Sequence, residues 1–240
     1  MEHFRIIAHI ENDYKEKFGI PRQSGLVDKV VSRIVFEKEF RNIDAVRGLE
    51  DFSHIWLIWV FSEGFASKNT PEGNTDSTSR SPQKSWSPTV RPPRLGGNER
   101  IGVWASRSPN RPNPIGLSCV ELIEVTPDTP DGPVITVRGA DLMDGTPILD
   151  IKPYIAYADA RPDAACSYAG EAPDTHRLTI TGIENLPPDI DKEALTAVLS
   201  GDPRPSYQED STRVYGISFG SHDIRFTVSG GTLTILGITE

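Results

Sequence analysis

Five arginines fall within one short stretch of the sequence that is also rich in proline. They are Arg91, Arg94, Arg100, Arg107 and Arg111. Five positive charges less the single acid Glu99 leave residues 90–120 with four net positive charges. Prolines fix their own φ and push the preceding residue towards an extended backbone. We therefore expect a stiff cationic loop, called the arginine segment below, of the kind that positions a ligand.

A plain surface linker with solvated arginines is the alternative interpretation of the arginine segment. Two features count against it. The runs IGVWAS and PIGLSCVEL on either side of the central arginines are apolar, which predicts buried strands that flank the loop. Asn110 and Asn113 also alternate with proline, which favours a defined turn over a flexible tether.

Three carboxylates, Asp141, Asp144 and Asp150, follow within ten residues. Asp144-Gly145 before Thr146-Pro147 predicts a tight turn between two apolar strands. The spacing of the three acids does not match a calcium-binding loop, so no metal is expected. Residues 141–146 are called the acidic turn below.

The elements that must position these side chains are mostly strands. Apolar and β-branched runs predict strands at 4–10, 30–37, 53–61 and 133–142, with a short helix at 41–52. The run at 53–61 is almost continuously apolar, which is typical of a strand buried on both faces. No Gly-x-Gly-x-x-Gly motif joins a strand to a helix, so a dinucleotide-type fold is disfavoured. The fold class is therefore mainly β, with an antiparallel barrel-like domain over 1–160.

The rest of the chain divides into a linker and a smaller module. Residues 64–86 are rich in Ser, Thr, Asn, Pro and Gly and predict a mobile loop. Residues 158–174 predict a linker. Residues 175–240 predict a small α+β domain, with one helix at 189–201 and three strands after it. That domain is either an aid to ligand binding or a structural appendage that supports a dimer.

Composition limits the kinds of partner. The 240 residues carry a net charge of −9, which disfavours indiscriminate binding to nucleic acid but allows one basic patch. The two cysteines match no metal-ligand spacing and indicate a reduced, cytoplasmic protein. Neither a membrane span of about 20 apolar residues nor a signal peptide is predicted.

Four motifs in a fixed order resemble the TrmO (TsaA/YaeB-like) family. They are KEKFGIPRQSGL at 15–26, VRGLEDFSHIWLIWVF at 46–61, residues 89–118, and DLMDGTPILDIKPYI at 141–155. The resemblance implies a single-sheet antiparallel β-barrel that acts as a homodimer. It also implies S-adenosylmethionine-dependent methylation of N6-threonylcarbamoyladenosine next to the anticodon of threonine tRNA.

The resemblance also assigns candidate site residues. For the cofactor these are Gln23, Ser24, Gly25, Ser62, Glu63, Arg107, Arg111, Leu117, Asp141, Leu142, Met143 and Asp144. Ser62 departs from the family, in which many members have histidine. Arg111, Asn113 and Asp144 are the candidate catalytic residues, with Arg111 a clamp for the threonyl carboxylate and Asp144 an orienting group or base. Candidate RNA contacts are Arg91, Arg94, Arg204, Tyr207, His222 and Arg225.

Other functions stay open at this point. The same fold could methylate another RNA nucleotide or a small molecule. A non-catalytic module that binds S-adenosylmethionine or tRNA is a second alternative. A phosphate-binding hydrolase that uses Gly96 and Gly97 is a weaker one, because the sequence has neither G-x-S-x-G nor a P-loop.

Overall fold

The computed structural model describes residues 4–61, 87–204 and 210–239. In these ranges the strands and α-helices are β1 Ala8–Glu11, β2 Val31–Phe36, β3 His54–Val60, β4 Thr89–Val90, β5 Ile101–Gly102, β6 Ile115–Thr126, β7 Val134–Arg138, β8 Pro147–Pro153, α1 Ala156–Asp159, β9 Thr179–Thr181, α2 Lys192–Ser200, β10 Tyr215–Phe219, β11 His222–Ser229 and β12 Thr232–Thr239. The loop predicted at 64–86 lies outside the described residues, as do Ser62, Glu63 and Tyr207.

Six strands close into a barrel in the order β1-β2-β7-β6-β3-β8, and each neighbouring pair is antiparallel. Alternate residues point inward, and Ile55, Leu57 and Trp59 of β3 lie in the barrel core. The first and last strands of the sheet, β1 and β8, pair with each other, so the barrel has no unpaired edge strand. The predicted mainly β fold with an antiparallel barrel is confirmed.

Two predicted elements near the arginine segment and β3 were wrong. Burial along β3 alternates, so the strand is not buried on both faces; Trp59 lies inside, whereas Trp56 lies outside and donates from Nε1 to Asp159 Oδ2 at 3.0 Å. The run IGVWAS forms only the short β5 and then a 3₁₀ turn at Val103–Ala105, with Trp104 66% exposed. The β3 run was assigned wrongly because apolar residues also cover the outer face of the barrel, and the IGVWAS run because Trp104 is apolar although it lies at the surface.

The helix predicted at 41–52 is also wrong. Two separate 3₁₀ turns, Ile43–Ala45 and Leu49–Asp51, take its place. Gly48 between them has a φ of 82°, a left-handed conformation that interrupts any regular helix.

The second sheet has the order β10-β11-β12-β9, with β9 parallel to β12 and the other pairs antiparallel. Helix α2 packs on this sheet, and its N-terminus is capped by Asp191, whose side chain accepts from the Ala194 N–H at 2.9 Å. The predicted α+β composition of the C-terminal part is confirmed.

The two sheets are joined by residues that follow β1. Tyr14, Val27 and Val30 belong to the core of the C-terminal sheet, although they precede most of the barrel in the sequence. Tyr14 forms an isolated antiparallel bridge with Phe219, and their rings meet edge to face at 6.5 Å. The segment that follows β1 therefore lies between the barrel and the C-terminal sheet.

Candidate functional site

Asp141, which follows β7, is the point at which three distant segments meet. Its carboxylate accepts a hydrogen bond from the Ser118 hydroxyl of β6 at 2.5 Å and another from the backbone N–H of Ser24. The Arg107 guanidinium is also near enough to interact with it electrostatically. Burial raises the pKa of Asp141, and these contacts oppose that rise without cancelling it. The result is a partly buried carboxylate held by defined donors.

Behind Asp141, a buried chain of hydrogen bonds reaches the barrel core. Ser118 is fully buried, and its Oγ accepts from Trp59 Nε1 at 3.0 Å while its hydroxyl donates to Asp141. The Trp59 ring covers Gly116, the residue directly opposite on β6. A Cβ on Gly116 would lie 2.1 Å from that ring, so only glycine permits this approach. Trp59, Ser118 and Asp141 are called the relay below.

The loop at residues 20–26 is held against the same carboxylate. Arg107 Nη1 donates to Gln23 Oε1, and the Gly25 N–H donates to the Gly139 carbonyl at 2.8 Å. Gly139 has a φ of 80°, and a Cβ there would come within 3.3 Å of the Gly25 backbone. The polar groups of Gln23 and Arg107 are therefore fixed beside Asp141 by close backbone packing.

Asp144 is held by the segment that follows β1. Its Oδ1 accepts from the Asn12 backbone N–H at 2.9 Å, and its Oδ2 pairs with Lys15 Nζ at 2.8 Å. The Asp144 N–H in turn donates to the Tyr14 carbonyl at 2.8 Å. Both carboxylate oxygens are thus engaged, an arrangement that favours an orienting role over proton transfer.

Two sequence-family models match the chain. The tRNA-methyltransferase O N-terminal domain matches residues 9–160, and the TrmO C-terminal domain matches residues 179–240. The chain belongs to the tRNA-methyltransferase O family.

Relatives and solved structures agree with the TrmO assignment. The chain is 38% identical to the tRNA (adenine(37)-N6)-methyltransferase of Escherichia coli (strain K12), over 98% of this chain and 97% of that protein. It is 38% identical to the Eikenella corrodens protein of the same name, over 77% and 95%. The crystal structure of TrmO from Pseudomonas aeruginosa superposes with a TM-score of 0.73 at 25% identity and covers 100% of this chain and 99% of that one.

The structure brings some of the predicted cofactor residues together and places others elsewhere. Gln23, Ser24, Gly25, Arg107 and Asp141 come together. Leu142 is fully buried in the barrel core, so only its backbone is available to a ligand. Leu117 is 56% exposed on the outer face of β6, opposite to the face that carries Ser118. Met143 is partly buried in the acidic turn, where its carbonyl accepts from Thr146.

Arg111 binds the loop to which it belongs. Its guanidinium donates to the carbonyls of Ser108, Val103 and Ser106 at 2.8, 3.2 and 2.5 Å and lies 5.9 Å from the Trp104 ring. Five donors in a rigid fork suit this gathering of several carbonyls. Asn113 is exposed, and its backbone carbonyl accepts from the Ile115 N–H at 2.8 Å. Arg111 therefore shapes the loop that presents Asn113.

The predicted RNA contacts differ in accessibility. Arg91, Arg94 and Arg225 are exposed. Arg204 is only 14% exposed and pairs through Nε with Asp202 at 2.8 Å, so its charge is already matched. Burial acts to raise the pKa of Asp202. The Arg204 guanidinium lowers that pKa by more, so the net shift is downward. His222 pairs with Asp189 at 2.8 Å.

Sequence reasoning missed Asn12, Lys15 and Ser118. Ser118 carried a usable signal, because it occupies an inward position of β6 between Gly116 and Val120, where a polar side chain needs a buried partner. In the described ranges no three His, Cys, Asp or Glu side chains are grouped so that they could hold a metal ion. No helix there is long and apolar enough to cross a membrane.

Proposed function

We propose that this chain transfers a methyl group from S-adenosylmethionine to N6 of N6-threonylcarbamoyladenosine, beside the anticodon of threonine tRNA. The observation that supports this most is the meeting of the 20–26 loop, Arg107 and Ser118 at the Asp141 carboxylate. These segments lie far apart in the sequence, and each belongs to a motif shared with TrmO proteins.

The donor groups at Asp141 fit the cofactor. S-adenosylmethionine carries a sulfonium, an ammonium and a ribose diol, all of which suit carboxylate and backbone oxygens. Gln23, Ser24, Gly25, Arg107 and Asp141 would hold it. When bound, it supplies a methyl group on a cationic sulfur. The partial burial of Asp141 strengthens its attraction for a cation, since screening by water is reduced.

The role of the remaining residues is mainly to orient the reactants. Alignment of a nucleophile with the methyl–sulfur bond supplies much of the acceleration in such transfers. N6 is a weak nucleophile, because the ring and the carbamoyl group both withdraw its lone pair. We assign Asp144 to orientation, since Lys15 and Asn12 already bind its oxygens. Arg111 acts by fixing the loop from which Asn113 reaches the modified base.

Exposed arginines support an RNA-binding role for two regions. Arg91 and Arg94 lie between β4 and β5, and Arg225 lies on the open face of the C-terminal sheet. We propose that residues 175–240 form a domain that aids tRNA binding beside a catalytic domain at 1–160. The proposed substrate is tRNA in the cytoplasm. Phosphate contacts of this kind make binding weaker as salt rises.

We also propose that the protein acts as a homodimer through the outer face of β3 and β6. Leu117 and Ile115 are exposed there, and Trp104 is 66% exposed in the adjoining loop. Large apolar side chains exposed on one face are typical of an interface between copies. Leu117→Glu should give a monomer by light scattering, whereas Leu236→Glu, at a residue 55% exposed on the C-terminal sheet, should not.

The proposed reaction is tested by mass spectrometry of tRNA nucleosides. Purified protein and S-adenosylmethionine should add one methyl group to threonine tRNA that carries threonylcarbamoyladenosine, and none to the same tRNA without that group. Methylation of both tRNAs, or of neither, would refute the acceptor. Asp141→Asn provides the matched control, since it keeps the shape of the side chain and removes the charge.

A further inference from the structure

Asn12 is a buried residue that directly follows β1 and makes four hydrogen bonds. It is 8% exposed. Its amide nitrogen donates to the Leu142 carbonyl at 3.0 Å and to Ser32 Oγ at 3.3 Å, and its amide oxygen accepts from the Tyr14 N–H at 3.0 Å. Its backbone N–H donates to Asp144 Oδ1 at 2.9 Å. Two of the four bonds therefore reach the acidic turn.

Residues 12–16, called the connector here, bind the acidic turn on one side and the C-terminal sheet on the other. Towards the turn, Lys15 pairs with Asp144, whose N–H donates to the Tyr14 carbonyl. Towards the sheet, the Asp13 carbonyl accepts from the Gly220 N–H at 3.0 Å, and Glu16 Oε1 accepts from the Ser218 N–H at 2.8 Å. A segment held on both sides cannot shift without breaking several hydrogen bonds.

Only an uncharged amide satisfies every partner of Asn12. The site requires a donor for the Leu142 carbonyl and an acceptor for the Tyr14 N–H within one short side chain, and the second amide hydrogen is then free to donate to the Ser32 hydroxyl, which matches the inventory of asparagine. An aspartate would face the Leu142 carbonyl with a second oxygen and add a buried charge near Asp144.

We propose that Asn12 is a positioning residue that holds the acidic turn in the geometry required to bind S-adenosylmethionine. The inference depends on the proposed function only for the identity of the ligand. Asn12 acts through the Leu142 carbonyl and the Asp144 carboxylate, and the anchored connector keeps Asn12 in place. Loss of the amide should loosen the turn and weaken cofactor binding beyond any general loss of stability.

The test compares Asn12→Asp with Ser32→Ala in the full-length protein. Ser32 is buried and bonds to the same amide, but it lies on β2, and this bond does not involve the turn. Calorimetric titration with S-adenosylmethionine should show binding roughly tenfold weaker for Asn12→Asp, as expected when a buried hydrogen bond is lost. Ser32→Ala should bind within about twofold of wild type, although both variants melt at lower temperature. Asn12→Ser, which keeps a short local acceptor, is the substitute if the aspartate variant does not fold.

Hydrogen exchange gives a readout that does not depend on the ligand. Amides of residues 141–146 should exchange faster in the Asn12 variant and at the wild-type rate in Ser32→Ala. Wild-type affinity and exchange in the Asn12 variant would overturn the proposal, as would equal weakening by both substitutions. Failure of the wild-type protein to bind S-adenosylmethionine would instead refute the proposed function, and the exchange result would still decide the role of Asn12.

Discussion

Replacing Ser118 with alanine removes the middle member of the relay. The change deletes one oxygen atom from a fully buried position of β6 and leaves the backbone of the strand intact. Trp59 Nε1 then loses its acceptor, and Asp141 loses the hydroxyl that donates to it.

The expected cost follows from these two lost bonds. Trp59 Nε1, left buried without a partner, costs about 1–3 kcal/mol, and the bond lost by Asp141, which keeps the Ser24 N–H, costs about 1 kcal/mol, so the total is roughly 3 kcal/mol. A protein of this size loses about 2–4 °C of melting temperature per kcal/mol, which predicts a fall of roughly 6–12 °C. The native state survives, since a stability of about 5–15 kcal/mol is typical. Removal of the hydroxyl also raises the pKa of Asp141 further, because that donor had lowered it.

The assay is thermal unfolding together with cofactor titration. Ser200→Ala is the matched control, because Ser200 is also buried. Its hydroxyl donates at 2.7 Å to the Thr196 carbonyl within α2, and that carbonyl keeps its backbone hydrogen bond of the helix when the hydroxyl is removed. That control should lose less than about 1 kcal/mol. A melting temperature for Ser118→Ala equal to that of Ser200→Ala would refute the relay. Unchanged cofactor affinity would refute its connection to the site.

Three further predictions concern the surroundings of the relay. Gly139→Ala should cost about 1–3 kcal/mol and displace the backbone of Gly25, because a φ of 80° strains alanine and its Cβ would lie 3.3 Å from that backbone; unfolding in urea checks this. Arg107→Gln should lose the bond to Gln23 and weaken cofactor binding by about tenfold, and an unchanged dissociation constant would contradict it. Cofactor affinity should fall as the pH drops through the raised pKa of Asp141, which lies above the ordinary range of an aspartate, and an affinity that does not change with pH there would contradict it.

The sign of the pH effect differs between binding and stability. Because the folded pKa of Asp141 is raised above its unfolded value, the buried ionised form destabilises the free protein above that pKa, and acidification relieves the cost. Binding of a cation needs the ionised form and therefore weakens over the same range. Asp141→Asn should show neither dependence, and a wild-type pH profile in that variant would contradict the assignment.

The barrel was predictable from sequence because its strands are rich in β-branched residues and little helical pattern interrupts them. The prediction that β3 is buried on both faces was wrong for a specific reason. Trp56 and Ile58 are apolar although they point outward, so the alternation that marks a half-exposed strand was hidden. Apolar residues on an outer face have the same pattern in sequence as core residues.

The contacts of the site were less accessible to sequence reasoning. Shared motifs identified Gln23, Arg107 and Asp141, but their partners depend on strand register across the closed barrel. Asn12 and Leu142 are separated by 130 positions, and no local pattern relates them. Arg111 had the right chemistry for a clamp, yet the carbonyls of its loop bind that guanidinium.

The stacking of Trp59 on Gly116 has a practical consequence for spectroscopy. Among the described tryptophans, Trp59 is the buried one, whereas Trp56 is half-buried and Trp104 is exposed. Its indole is also bonded to the serine that contacts Asp141. The protein thus contains a natural fluorophore, shielded from soluble quenchers, whose emission should report changes at the Asp141 carboxylate without any chemical label.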